Sequence, residues 1–159
     1  MDAIRIAQAS TKDDIAAVAA LFDAYAASLP VDLGYQGFAA ERAGLPGAYA
    51  PPSGALLLAR DAAGVALGCV ALRALNDTSA GEIKRLYVAP AARGLGLGKA
   101  LLAAVSQAAM ACGYRALCLD TLPFMAEAQA LYRANGFGEI PPYYATALPG
   151  TVFLGKVLP

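Results

Sequence analysis

The chain contains no histidine, and that absence removes whole classes of chemistry. A Ser–His–Asp triad cannot be assembled, a Cys–His pair cannot form, and no zinc site can use imidazole. No metal site is expected. Any proton carried by a side chain must use Glu, Asp, Tyr, Lys or Cys, or pass through a terminus or water. Cysteine is scarce. Cys69, Cys112 and Cys118 are odd in number and widely spaced, which argues against a disulfide framework and leaves them as small buried hydrophobes. Cys118 falls inside a strand with no imidazole to activate it, so a thiol nucleophile is not expected. Net charge is absent too: 12 basic and 12 acidic residues cancel, without the basic excess of a nucleic-acid protein. No apolar run is long enough to span a bilayer. The opening residues, MDAIRIAQAS, lack a basic region followed by a long apolar core. No signal peptide is expected, and the expected location is cytoplasmic.

What is present is a hydrophobic chain of ordinary domain size. The 159 residues, 58% of them hydrophobic and 15% charged, suit one domain over residues 1–159 with a sizeable core. Ile4 and Ile6 alternate as in a strand. Ser10 and Asp13 resemble an N-terminal capping signal, and Ile15, Val18, Phe22 and Tyr25 recur at helical spacing, predicting a helix over about 11–28. Residues 31–54 are irregular, rich in glycine and proline, with at most a short helix near 36–43. Long irregular segments in compact domains are often functional. A hairpin follows over ALLLAR and VALGCVALRAL, then a strand over EIKRLYVAP that Pro90 stops. The next helix carries Leu101, Val105, Ala108 and Cys112 as an apolar stripe and ends at Gly113. RALCLD reads as a strand, MAEAQALYRAN as a helix capped by Gly136, and TVFLGKVL as a final strand. The order β-α-(α)-β-β-β-α-β-α-β-β predicts an α/β (α+β) fold. It has a single mixed, mostly antiparallel central sheet of about seven strands with helices on both faces.

The informative stretch is RGLGLGK, Arg93 to Lys99. Glycines at 94, 96 and 98 open a helix directly after a strand. The first N–H groups of a helix lack intrahelical partners and the dipole adds positive charge there, so the corner is an anion site. Arg93 and Lys99 add formal charge at its rim. Two familiar phosphate motifs fail on spacing. A P-loop requires glycine at position 93 and Ser or Thr at 100, which are Arg93 and Ala100. The dinucleotide pattern G-x-G-x-x-G puts its last glycine on Lys99 or Leu101.

The spacing that fits is Arg-x-x-Gly-x-Gly, formed by Arg93, Gly96 and Gly98 after RLYVAP. With LDTLPFMAEAQALYRANGF over 119–137, it resembles the GNAT superfamily of acyl-CoA-dependent N-acetyltransferases. The likeness is sharp over 82–137, extends over 55–157 and is weak over 1–54. Relatives often carry Asn where this chain has Met125, seven residues before the helix tyrosine. The resemblance implies acetyl-CoA as the coenzyme, bound by Leu86, Tyr87 and Val88 of the strand and by Arg93, Gly94, Leu95, Gly96, Leu97, Gly98 and Lys99 of the loop. A strand N–H would stabilise the oxyanion of the tetrahedral intermediate.

In that resemblance Tyr132 matches the tyrosine that protonates the leaving thiolate, and Glu82 is the candidate base, acting through water. Asp32, Glu41 and Asp120 compete for that second role. The alternation Glu82, Lys84, Leu86, Val88 predicts a shared face, which a bulge would reverse. Tyr35, Tyr49, Tyr143 and Tyr144 are candidate substrate-binding residues, with Phe38 beside the first two. The expected acceptor is a primary amine on a small molecule, with a protein amine or a non-catalytic acyl-CoA-binding module as alternatives. No nucleic-acid or membrane partner is expected. The sequence leaves homodimer formation open.

Overall fold

The strand-like and helix-like stretches fold largely where their patterns put them. The computed structural model describes residues 3–76, 78–146 and 148–159. The strands are β1 (Arg5–Gln8), β2 (Ala55–Arg60), β3 (Ala66–Ala74), β4 (Ala80–Val88), β5 (Ala116–Thr121), β6 (Gly138–Glu139) and β7 (Val152–Val157). They form one seven-stranded sheet in the order β1-β2-β3-β4-β5-β7-β6. Among the described residues only β4 and β5 run parallel; the other neighbours are antiparallel. Helices α1 (Lys12–Ala27) and α2 (Phe38–Ala43) precede β2, α3 (Leu97–Ala111) crosses from β4 to β5, and α4 (Ala126–Ala134) follows β5. The expected mixed, mostly antiparallel α/β sheet is what the chain builds.

Both faces of the sheet are covered, which is why β2 reads as the unbroken apolar run ALLL. Leu57 and Ala59 face a core shared with Leu101, Val105 and Tyr132 of α3 and α4. Leu56 and Leu58 face a second core with Val18 and Phe22 of α1. This is the period-two alternation of a strand sandwiched between helices.

Two local expectations shift by a residue. The cap of α1 is Thr11, whose Oγ1 accepts the Asp14 N–H at 3.0 Å. The Asp14 carboxylate in turn accepts the N–H groups of Ser10 and Thr11, completing a capping box one position beyond Ser10 and Asp13. The Ser10 backbone bond first, then Arg60, hold Asp14 down to about 2. In α3 the buried stripe is Leu101, Leu102, Val105 and Ala109, while Ala108 and Cys112 are half-buried. Four residues beyond Val105 is the same face, so Ala109 takes the inward position.

The feature that makes a site is the seam between β4 and β5. They pair only through Ala80–Ala116, Gly81–Leu117 and Glu82–Cys118, then part. Beyond that point β4 contains a bulge. Cys69 opposes Tyr87 and Ala71 opposes Lys84, so Val70 of β3 faces both Arg85 and Leu86. Arg85 adopts φ 60° to make the extra residue fit. The bulge reverses the side-chain alternation. Ile83 and then Leu86 and Val88 pack toward α3 and α4, whereas Tyr87 packs toward α1. The shared face of Glu82, Lys84, Leu86 and Val88 is therefore broken between Lys84 and Leu86.

Candidate active site

A groove of about 690 Å³ runs from the start of α3 to the parting of β4 and β5. Leu86, Tyr87, Val88, Arg93, Gly94, Gly96, Leu97, Gly98 and Lys99 all line it. Leu95 is the one expected loop residue that does not, and it is 51% exposed. Gly94 and Gly96 take φ 81° and 76°, a backbone region that side chains with a Cβ rarely occupy. Gly96 is the N-cap of α3 and supplies no side-chain cap. The helical ladder begins with the Ala100 N–H donating to the Gly96 carbonyl, so the N–H groups of Leu97, Gly98 and Lys99 precede it. The Arg93 guanidinium lies 6.0 Å from the Tyr87 ring centroid, and its Nε donates to the Val88 carbonyl at 3.2 Å. Uncovered amides, two cations and a long groove fit a diphosphate carried on an extended arm.

Past Tyr25, Leu86 and Met125, which line both spaces, the groove meets an inner cavity of about 30 Å³. That is room for about two water-sized groups. Lys84, Arg85, Asp120, Thr121 and Tyr132 also line it. Tyr132 is 6% exposed and packs edge-on to Phe137, with ring centroids 5.7 Å apart. Burial drives the Tyr132 hydroxyl well above the usual tyrosine range.

Three buried or half-buried ion pairs furnish the face toward α1 and α2. Glu82 is 1% exposed. Its Oε1 accepts from Arg73 Nε at 2.8 Å and its Oε2 from the Tyr143 hydroxyl at 2.7 Å. Lys84 Nζ donates to Asp120 Oδ1 at 3.4 Å, and the Tyr144 hydroxyl donates to Asp120 Oδ2. Arg85 donates through Nε and Nη2 to both oxygens of Glu41, and through Nη1 to Gln36 Oε1. Burial alone would raise Glu41, but the bonds and charge of Arg85 outweigh it and hold the carboxyl below its ordinary value.

The expected site residues divide on this geometry. Tyr132 reaches the inner cavity, while Glu82 is not among its lining residues and has both oxygens engaged. Tyr143 and Tyr144 are half-buried and hold acidic groups. Tyr49 is 2% exposed and donates to Glu41 Oε2 at 2.8 Å; it packs into the α1 core and lines a separate pocket of about 180 Å³ with Glu41 and Arg73. Tyr35 is exposed, and its hydroxyl accepts from Gln36 Nε2. Asp32 caps a turn by accepting the Gly34 N–H. Burial pushes the Cys69 and Cys118 thiols up to about 12, so neither is an activated nucleophile. Among the described residues no cluster suits a metal ion, and no helix is long and apolar enough to cross a membrane.

Sequence reasoning missed Arg85, Thr121 and Tyr25. A signal for the first existed: adjacent Lys84 and Arg85 inside a buried strand put a cation on each face of a regular strand, and each buried cation requires a partner.

A groove from a glycine loop to a buried tyrosine in a split sheet suits transfer of an acyl group from a phosphorylated carrier. Residues 18–137 match the model of the Acetyltransferase (GNAT) family. An uncharacterised N-acetyltransferase of Schizosaccharomyces pombe is 39% identical over 134 residues, covering 84% of this chain and 82% of that protein. An IAA acetyltransferase of Azospirillum brasilense is 38% identical over 94 residues, 59% of this chain and 61% of that protein. A GNAT-family acetyltransferase from Staphylococcus aureus superposes with TM-score 0.81 at 21% identity, over 99% of this chain and 100% of that one. A Klebsiella pneumoniae protein assigned as an acyl-CoA N-acyltransferase gives 0.71 at 31% identity, over 99% and 98%. The chain belongs to the GNAT acetyltransferase family. It is an acetyltransferase, and enzymes of this family use acyl-CoA.

Proposed function

We infer that this enzyme moves an acetyl group from acetyl-CoA to a primary amine on a small molecule. The observation that carries this reading is the continuity of the glycine-loop groove with the cavity holding Tyr132. The bound coenzyme supplies the activated acyl thioester. The amides at the start of α3, with Arg93 and Lys99, hold its diphosphate, and the parted edges of β4 and β5 hold its arm. The cavity's room for about two water-sized groups suits an acetyl group better than a longer chain.

Asp120 lines the cavity, its oxygens held by Lys84 and Tyr144, and one of those bonds gives way to the acceptor. The acceptor reacts as the neutral amine, having released one proton to solvent, and Asp120 takes the second proton as the C–N bond forms. The C–S bond breaks as Tyr132 donates its proton to the departing sulfur, and the phenol is restored from solvent. Such a proton donor contributes about 10²–10⁴ in rate. Glu82 does not line the cavity and, fastened to Arg73 and Tyr143, braces the strand instead of moving the proton.

A small-molecule acceptor is supported by charge. Arg73–Glu82, Lys84–Asp120 and Arg85–Glu41 are matched pairs, so this face has no excess negative charge to attract a basic protein tail. The similarity to an IAA acetyltransferase points the same way. The test is thiol release from acetyl-CoA across a panel of small amines and basic peptides, with CoA and ATP titrated in parallel. Turnover with a small amine and binding of CoA but not ATP are expected. Binding of CoA with no thiol release for any amine would leave only a coenzyme-binding module, and turnover confined to the basic peptides would reject the small-molecule acceptor.

A further inference from the structure

Thr121 ends β5, is 4% exposed, and its Oγ1 has no hydrogen-bond partner among the described residues. A buried hydroxyl without a partner destabilises the fold, and natural proteins retain few of them. Its position suggests what it is kept for. Leu117 and Leu119 of the same strand pack into the core beneath α3 and α4, and period-two alternation puts Thr121 on that face as well. Thr121 lines the inner cavity beside Tyr132. The β4 ladder has already ended at Cys118, while pairing of Thr121 with Val152 keeps its backbone fixed against β7. Thr121 thus stands on a rigid strand where β4 and β5 have parted. Its side chain is on the face of Tyr132, in the cavity that Lys84, Arg85 and Asp120 also line.

We propose that Thr121 contacts the acyl group itself, its hydroxyl donating a hydrogen bond to the carbonyl oxygen of the acyl-CoA thioester. The contact rests on the acyl-transfer reading given above. During transfer the carbonyl π electrons move onto oxygen as the C–N bond forms and return as the C–S bond breaks. Thr121 keeps its proton throughout and stabilises the charge that gathers on oxygen from the β5 wall. A donor so placed is typically worth about 10²–10³ in kcat. Tyr132 serves the sulfur and Thr121 the oxygen, so the two hydroxyls divide the leaving group from the oxyanion.

The experiment compares the wild type with Thr121→Val and Thr121→Ser by calorimetric titration of CoA and of acetyl-CoA, thermal melting, and single-turnover transfer. For Thr121→Val the CoA affinity is expected to be unchanged, because free CoA has no acyl carbonyl. Acetyl-CoA should bind about five-fold more weakly, and transfer should slow about 100-fold. Its melting temperature should hold or rise, since an unpartnered buried hydroxyl is removed. Thr121→Ser should recover most of the rate. Equal weakening toward CoA and acetyl-CoA, a fall in melting temperature, or an unchanged rate and affinity would each overturn the assignment. If the wild type releases no thiol with any amine, the transfer reading fails by itself. The contrast between CoA and acetyl-CoA binding still decides the role of Thr121.

Discussion

Arg85, at φ 60° in the bulge of β4, grips both carboxylate oxygens of Glu41, 44 positions earlier in the chain. A non-glycine residue in left-handed backbone costs roughly 1–2 kcal/mol, and this ion pair helps to offset it. The same guanidinium lies 5.3 Å from the Phe38 ring centroid. One side chain therefore anchors the irregular segment around α2 to the strand that forms the site. The cavity's outer wall and its floor are one electrostatic unit.

Replacing Glu41 with Ala should cost about 3–5 kcal/mol at neutral pH, because it leaves a buried guanidinium unpaired. Urea unfolding at several pH values measures it. The folded-state pKa of Glu41 lies below the ordinary glutamate value of 4.5, so its contribution is complete above that value and is lost as pH falls through the folded pKa. The gap between wild type and variant should shrink below about pH 4.5. A gap that stayed constant through acid would show that the pair is not its source.

Tyr132→Phe should slow single-turnover transfer by about 10²–10⁴, with CoA affinity unchanged. The raised pKa of Tyr132 adds a pH expectation: the wild-type rate should show no loss from phenol ionisation up to the ordinary tyrosine value of 10.0. An unaltered rate in the variant would return Tyr132 to a packing role against Phe137.

Asp120→Asn and Glu82→Gln separate the two acidic groups. The Asn variant should slow single-turnover transfer by about 10²–10⁴. The Gln variant should keep most of its rate while losing stability through Arg73 and Tyr143. The reverse pattern would move the proton acceptor to Glu82.

Gly96→Ala tests conformation without crowding. A Cβ at Gly96 would meet nothing within 4 Å, so the expected loss of about 1–2 kcal/mol comes from the φ of 76° alone. Denaturant titration reads the stability, and calorimetry should show weaker CoA binding as the N-cap turn shifts. Gly98→Ala differs in cause, since its Cβ would lie 3.3 Å from Leu131 Cδ2. A Gly96 variant as stable as wild type would mean the turn tolerates another backbone state.

The coenzyme half of the site was legible because it is local. Arg93, Gly96 and Gly98 lie within six consecutive residues, and the strand–loop–helix they serve is set by short-range pattern. The order of strands followed from periodicity in the same way. The acceptor half was not legible, because its partners are distant: Glu82 meets Tyr143 across 61 positions and Asp120 meets Tyr144 across 24. Tyr49 illustrates the difficulty. Its neighbourhood of glycine and proline suggests an open loop, yet its ring lodges at 6.5 Å from Phe22 in the core. Thr121 gives no sequence signal, since a threonine at a strand end is ordinary until its hydroxyl is found without a mate.

Three rungs fasten the two halves of the sheet along the β4–β5 seam. A guest molecule bearing amides could lie there as a borrowed strand, stitching β4 to β5 where the protein leaves its own stitches out. Its arrival should slow deuterium uptake along both edges and stiffen the unpaired ends, so that the reactant completes the architecture that acts on it.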